Sequence, residues 1–392
     1  MHRQPVRRKA RRVMAIQTRY PGGVIETRYR RAVLGALVAD AASLGLHWIY
    51  DPERLAQVAG PAPEFHEPDL EDYRGTAAYF AHPGKTAGDV THYGEQLLVL
   101  LRSLAARGTF DLADYERRFV ASFGPGGTWV GYIDFATRGT LRNIDAAERD
   151  ALAAAKTFDL GAHENERSLM EAKVVANAQR WRGEQLAHAM DKAVRITHGE
   201  NEELMQIGRA IARAVEDARG GVHGADDYQL PAVSKLPALF AFGSHAVEEA
   251  VRATNDNDTA VAWARPVARV LDAAFSGAMP AGAAEAARGV EDPEVDETIE
   301  EALAFQGDAV AAADRFGRAC PLDQAVPLIL ALLRRAVTFE EGVRDNIRAG
   351  GDSAGRATIL GAALGAAYRV PQAWLERTRV VPEAESLLAG SE

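Results

Sequence analysis

The chain has 392 residues, 47% hydrophobic and 26% charged, with a formal net charge of −10, so it can bury a sizeable core. The acidic balance argues against a general nucleic-acid binder, and Lys, Arg or Asp interrupts every apolar run before the roughly 18 residues a membrane span needs. The single cysteine, Cys320, excludes an internal disulfide and fits a reducing compartment, which makes the cytoplasm the expected location.

Residues 1–29 invert the overall charge with "RQPVRRKARR" and read as a basic, disordered extension. Residues 30–380 read as a single globular all-α domain, because apolar residues recur at helical spacing and strand-like alternation is nearly absent. Residues 381–392 read as a tail. In the first helix, "RAVLGALVADAASLGLHW", Asp40 interrupts an apolar run where an ionised carboxylate is costly to bury without partners. At about 100° per residue Ser43 and His47 fall on the same helical face as Asp40, which predicts either a shared pocket wall or a local hydrogen-bonded cluster.

A second helix opens in "THYGEQLLVLLRSLAARG", with Thr91 as its cap and Gly108 as its stop. His92, Tyr93, Glu95 and Gln96 crowd its first turns ahead of an apolar stripe of Leu97, Leu100, Leu101 and Leu104. A ligand site at a helix N-terminus needs such groups, and a solvent-facing first turn also supplies them. His82 and His92 lack the close spacing of a zinc pair, and no cysteine cluster completes one. In "GPGGTWVGYIDFATRGTL" Trp129, Tyr132 and Phe135 could wall a base or sugar, or pack in the core. "ATNDNDTAVAW" reads as helix capping, and Cys320, with no base nearby in sequence, as an idle thiol. "RAGGDSAGRATILGAALGAAY" places Asp352 at the head of a helix of small residues. Two readings stay open: Asp352 caps that helix, or it is a ligand or acid–base group facing a cleft, with Gly350 and Gly351 allowing backbone and ligand to approach closely. Gly361 and Gly365, four residues apart, permit close helix packing.

Four landmarks in this order carry a resemblance: "GALVADAASLGLHWIYD", "THYGEQLLVLLRSL", "VEEAVRATNDNDTAVAWARPVARVL" and "GGDSAGRATILGAALGAAYRVPQAW". The chain resembles the ADP-ribosylglycohydrolase family over residues 30–380, in the branch that includes the jellyfish J1 crystallins. The resemblance implies an all-α globule whose cleft holds two magnesium ions and hydrolyses the bond at a ribose anomeric carbon. In metal-dependent members a Thr-Asp-Asp run opens one helix and a Gly-Gly-Asp-x-Asp-Thr run another. Here the first reads Thr91, His92, Tyr93 and the second Gly350, Gly351, Asp352, Ser353, Ala354, Gly355; a carboxylate expected after the first helix corresponds to His47. Magnesium takes hard oxygen ligands, so at most one ion is expected, on Thr91 and Asp352.

The expected activity is hydrolysis of a ribosyl glycosidic bond in ADP-ribose or a related nucleoside-type substrate. Asp352 or Glu95 would activate water and His47 or His92 would protonate the leaving group. Asp40, Trp48, Tyr93, Gln96, Gly350, Gly351, Arg356 and Trp129 would bind substrate, with Arg356 pairing Asp352 or clamping a phosphate. The expected partner is a small molecule or an ADP-ribosylated substrate, with no membrane and no specific nucleic acid. The alternatives are a catalytically inactive, crystallin-like binding or structural protein that keeps the cleft, and a cleft serving a different small molecule.

Overall fold

The structure, a computed structural model, describes residues 23–178 and 181–390; the basic stretch before residue 23 lies outside the described residues. Among the described residues every regular element is helical, and β-pairing is limited to three isolated bridges. In chain order the helices are α1 (Gly23–Ser43), α2 (Pro52–Ala59), α3 (Leu70–Tyr73), α4 (His92–Arg107), α5 (Leu112–Phe123), α6 (Phe135–Thr157), α7 (Arg167–Ala178), α8 (Gly183–His198), α9 (Glu202–Arg219), α10 (Pro231–Ser234) and α11 (Leu236–Ala241). They continue with α12 (Val247–Arg252), α13 (Asp258–Ser276), α14 (Pro280–Glu285), α15 (Pro293–Ala304), α16 (Ala309–Phe316), α17 (Leu322–Arg335), α18 (Phe339–Arg348), α19 (Ser353–Ala367), α20 (Gln372–Arg377) and α21 (Val381–Ala389). The boundary expected at residue 30 therefore falls inside α1. The stretch read as a tail from residue 381 forms α21, which buries Val381, Ala384 and Leu387.

The chain forms two compact units. The smaller one, Gly139–His223, has its own core of Ala151, Met170, Val174, Leu186, Met190, Leu204 and Ile211 among others. The larger one comprises the described residues on either side of it and is organised around α19, which is buried from Ser353 to Ala366 and wholly apolar after Thr358. Its small residues let α1 come into backbone contact. A Cβ on Gly361 would lie 2.5 Å from the carbonyl oxygen of Gly35, and one on Gly365 would lie 2.4 Å from that of Arg31. Both distances are well inside van der Waals contact, so only glycine fits.

α4 belongs to the same core, with Leu97, Leu100, Leu101 and Leu104 fully buried. Thr91 accepts the N–H of Tyr93 at the head of α4, and Gly108 ends the helix in the left-handed conformation, φ 81°. α1 stops at Ser43, earlier than its apolar pattern suggests. A 3₁₀ turn over Leu44–Leu46 follows and His47 is extended, φ −63° and ψ 130°. The shared wall of Asp40, Ser43 and His47 is therefore not formed, because the helical spacing that would align them does not continue past Ser43.

Candidate functional site

Asp352 stands where three segments of the larger unit meet. Its Oδ1 accepts the N–H of Gly355 at 3.0 Å, capping α19, and lies 3.0 Å from His47 Nε2. Its Oδ2 accepts the Tyr93 hydroxyl at 2.7 Å. Capping and site membership are thus not alternatives: one carboxylate does both. Burial pushes this carboxyl up, but the charge and hydrogen bond of His47, the Tyr93 hydroxyl and the nearby Arg356 outweigh it and hold the group well below the usual carboxylate range. Asp352 is a buried carboxylate.

His47 continues the network, its Nδ1 lying 2.7 Å from Nε2 of His82. The Trp48 indole packs 4.5 Å from the His47 ring, centroid to centroid, and Trp48 holds φ 68°, a conformation a large side chain rarely adopts. Two backbone bonds impose it: Trp48 N–H donates to Gly351 at 2.8 Å, and Trp48 carbonyl accepts from Tyr79 at 3.0 Å. Tyr79, Tyr132 and His92 complete an aromatic cluster around Trp48, with centroids 5.6, 5.0 and 6.3 Å from the indole.

On the other side of the His92–Tyr93 pair lies Asp134, at the head of α6. It accepts the N–H of Thr137 at 2.6 Å, and Nε2 of His92 lies 3.2 Å from its Oδ2 without the alignment of a hydrogen bond. Gln96 Nε2 donates to Thr137 Oγ1 at 2.9 Å and reaches Asp134 at 3.3 Å. Burial raises the Asp134 carboxyl to about 6 against the bonds from Thr137. The site therefore carries two carboxyls of unlike protonation, one ionised and one titrating near neutrality, an arrangement that suits acid–base work.

Five buried polar atoms of this cluster have no hydrogen-bond partner: Trp48 Nε1, His82 Nδ1, both ring nitrogens of His92, and Gln96 Oε1. Buried polar groups are nearly always paired, and each orphan costs about 1–3 kcal/mol. Five in one place make a polar surface that water or a polar ligand would satisfy.

Several sequence expectations are corrected. Asp40 is buried but turned to the head of α4, where it accepts Thr91 N–H at 2.8 Å and Thr91 Oγ1–H at 2.5 Å; burial pushes it up to about 7. Glu95 accepts from Arg102 at 2.6 Å and Ser122 at 2.8 Å, an ion pair on the α5 side of α4, and so does not join the histidines. His92 does not titrate near neutrality, because burial and the neighbouring His47 push it down to about 3. The Arg356 side chain neither bonds the Asp352 carboxylate nor offers a free fork to phosphate. Its guanidinium donates to the side-chain and backbone oxygens of Asn346 and to the carbonyls of Arg318 and Gly350 at 2.6–3.3 Å. Gly350 and Gly351, φ 73° and 61°, serve a backbone crossing. A Cβ on Gly351 would lie 2.1 Å from Arg318 carbonyl oxygen, so the close approach is to the chain and not to a ligand. Trp129 lies under Lys85 Nζ at 3.8 Å and donates to Tyr132 carbonyl, and Phe135 is 52% exposed; of the expected aromatic wall only Tyr132 meets Trp48 and His92.

The residues present do not fit a magnesium pair. Thr91 Oγ is held between Asp40 and the N–H of Tyr93, and the two oxygens of Asp352 already accept three hydrogen bonds. The remaining donors are imidazoles and a phenol, where magnesium takes carboxylate and water oxygens. Among the described residues no three His, Cys, Asp or Glu side chains are set to hold one ion.

Two site residues, Asp134 and His82, and one buried lysine escaped the sequence. Asp134 carries a signal, since Asp134 and Thr137 have the spacing of a helix cap. His82 lies in a loop before Pro83 and has none. Lys235 is fully buried and donates to the carbonyls of Pro231 and Ala232 and to Thr254 Oγ1, at 2.9, 3.0 and 2.6 Å. Burial lowers it to about 7, partly opposed by the charge of Asp134.

The model of the ADP-ribosylglycohydrolase family matches residues 23–390. Among curated proteins, crystallin J1A of Tripedalia cystophora is 26% identical over 92% of this chain and 96% of its own length; crystallin J1B of the same animal is also 26% identical, over 90% and 92%. A solved structure described as an ADP-ribosylglycohydrolase-related protein complex superposes with a TM-score of 0.53 at 18% identity, covering 94% of this chain and 97% of that one, which speaks for the fold. With the family model spanning residues 23–390, nearly the whole chain, the protein belongs to the ADP-ribosylglycohydrolase family.

Proposed function

We propose that the chain hydrolyses a ribosyl glycosidic bond of ADP-ribose or a related nucleoside-type substrate, at the cluster between Asp352 and Asp134 and without a magnesium pair. The observation that carries this reading is the set of five unpartnered buried polar atoms on Trp48, His82, His92 and Gln96. Each costs stability unless a ligand satisfies it. Asp134, raised to about 6, is protonated in part of the molecules near neutrality and can give that proton to the leaving group. Asp352 supplies the base side through His47, and the aromatic rings of Trp48 and Tyr132 supply a face for a planar base or sugar. His92, kept neutral by burial, offers both ring nitrogens to a polar ligand and moves no proton.

A second reading is favoured by the two crystallin relatives: a protein that keeps the cleft and does no chemistry. One experiment separates them. Thermal shift of the full chain is read with ADP-ribose, other nucleotides and magnesium added singly, followed by assays of ADP-ribosylated substrates with and without chelator. Stabilisation by a nucleotide, with release of ADP-ribose that survives chelation, is the expected result. Neither binding nor release would leave the crystallin-like reading.

A further inference from the structure

Two cations lie against the aromatic side of the site without a counterion. Lys85, in the loop ahead of α4, donates its backbone N–H to the His82 carbonyl at 3.2 Å and holds its Nζ over the Trp129 ring, 3.8 Å from the centroid. Gly131 makes room for it, since a Cβ there would lie 3.2 Å from Lys85 Cε. Arg138, at the start of α6, lies 5.8 Å over the Tyr132 ring and donates to the Ile133 carbonyl. The rings hold both side chains in place and leave their charge intact. Trp129 donates its indole N–H to the Tyr132 carbonyl at 3.1 Å, and the Tyr132 ring lies 5.0 Å from Trp48 and 5.3 Å from His92. Both cations therefore border the residues with unpartnered polar atoms. Burial lowers the Lys85 ammonium, and the charges of Asp89, Glu95 and Asp40 oppose that. Those three carboxylates are engaged elsewhere: Asp89 pairs with Arg379, Glu95 with Arg102, and Asp40 accepts from Thr91. Among the described residues neither Lys85 nor Arg138 forms an ion pair.

Resting on the nucleoside-type reading above, we infer that Lys85 and Arg138 are specificity-determining residues that bind phosphate, so that the site takes a nucleotide or nucleotide sugar in preference to the neutral nucleoside. Three features ask for such a ligand together. Trp48 Nε1–H is buried and can only donate, so the group that satisfies it must present an acceptor. Two uncompensated cations favour an anion, and lysine and arginine both suit phosphate oxygens. Tyr79, 55% exposed and fixed by its N–H bond to the Trp48 carbonyl, offers an open ring face 6.0 Å from Tyr132 on which a base can stack. A phosphorylated nucleoside supplies the acceptor oxygens, the charge and the planar ring at once. The phosphate role expected of Arg356 thus passes to two side chains that no motif marks. A terminal phosphate and a bridging diphosphate present the same oxygens, and the two are separated by the choice of ligand.

The test is titration calorimetry of the full chain with adenosine, AMP and ADP-ribose at low and high salt. At low salt a nucleotide should bind about 10-fold or more tighter than adenosine, since partly solvated cations still form charge-assisted bonds, and the preference should shrink as salt rises. AMP bound as tightly as ADP-ribose assigns a terminal phosphate; a preference for ADP-ribose alone assigns the diphosphate. In the double variant Lys85→Met, Arg138→Met the preference should fall to about 3-fold or less while adenosine still binds. Adenosine bound as tightly as both nucleotides, no binding of either nucleotide, or a preference that survives the double variant overturns the inference. So does an equal loss for adenosine, because the two residues would then shape the site and not read charge. Binding is measured without turnover, so the two readings fail separately. Nucleotides bound with this preference but never cleaved keep the phosphate site and end the hydrolase reading; nucleotide and nucleoside cleaved with equal kcat/KM do the reverse.

Discussion

Replacing Asp352 with Asn changes charge while keeping shape. The amide oxygen can still accept from Gly355 N–H and His47, and the Tyr93 hydroxyl can turn to accept from the amide nitrogen. What is lost is the negative charge that three donors and the buried guanidinium of Arg356 surround. A hydrogen bond to a charged group is worth about 1.5–3 kcal/mol, and unpairing a buried charge costs about 3–5 kcal/mol; about 3 kcal/mol is expected here, since the geometry survives. With an unfolding entropy of about 2 cal/mol/K per residue, that lowers Tm by roughly 4 °C. The pH dependence identifies the cause. Asp352 is held below its unfolded value, so its contribution is complete above about pH 4 and is lost as pH falls toward the folded pKa. Urea unfolding of wild type and Asp352→Asn across this range should show the gap shrinking by about 1 kcal/mol between pH 5 and pH 3, given about 1.4 kcal/mol per pH unit. A variant equal to or more stable than wild type at pH 7, or a gap that does not change with pH, would refute the reasoning, because desolvation of the carboxylate would then have won.

Burial and His47 depress His92 to about 3, below the usual imidazole value of about 6.5, so the folded state resists protonation and loses stability as pH falls through the range between those values; His92→Asn should flatten the urea midpoint against pH across that window. Gly361→Ala places a methyl 2.5 Å from both the Ala39 Cβ and the Gly35 carbonyl oxygen, and should destabilise by about 1–3 kcal/mol in thermal unfolding, with ligand affinity unchanged once corrected for folded fraction. Titration calorimetry with magnesium should show no pair of tight sites, since imidazole, phenol and a saturated carboxylate replace the acids such a pair needs; two tight sites would sink the metal-free reading.

Local spacing settled a good part of this protein. The caps at Thr91 and Asp352, the stop at Gly108, the stripe of α4 and the small-residue face of α19 are short-range features, and each follows from backbone groups that neighbouring residues must satisfy or from which side chains fit between helices. The sequence also marked Asp352, His47, His92 and Tyr93 as belonging to one site, because family landmarks lie at three helix ends. Their roles were beyond its reach. Whether His47 shares a helical face with Asp40 depends on α1 stopping at Ser43, and whether Arg356 meets phosphate or carbonyls depends on how the chain crosses at Gly350 and Gly351. His82 and Asp134 reach His47 and His92 only after folding, from a proline-bounded loop and a helix end that no periodicity connects to them. Protonation was the least legible property, since burial and neighbours set it: the same fold lowers His92 to about 3, raises Asp134 to about 6 and keeps Asp352 ionised. Each value depends on distances between residues far apart in the chain, and those distances exist only in the folded protein.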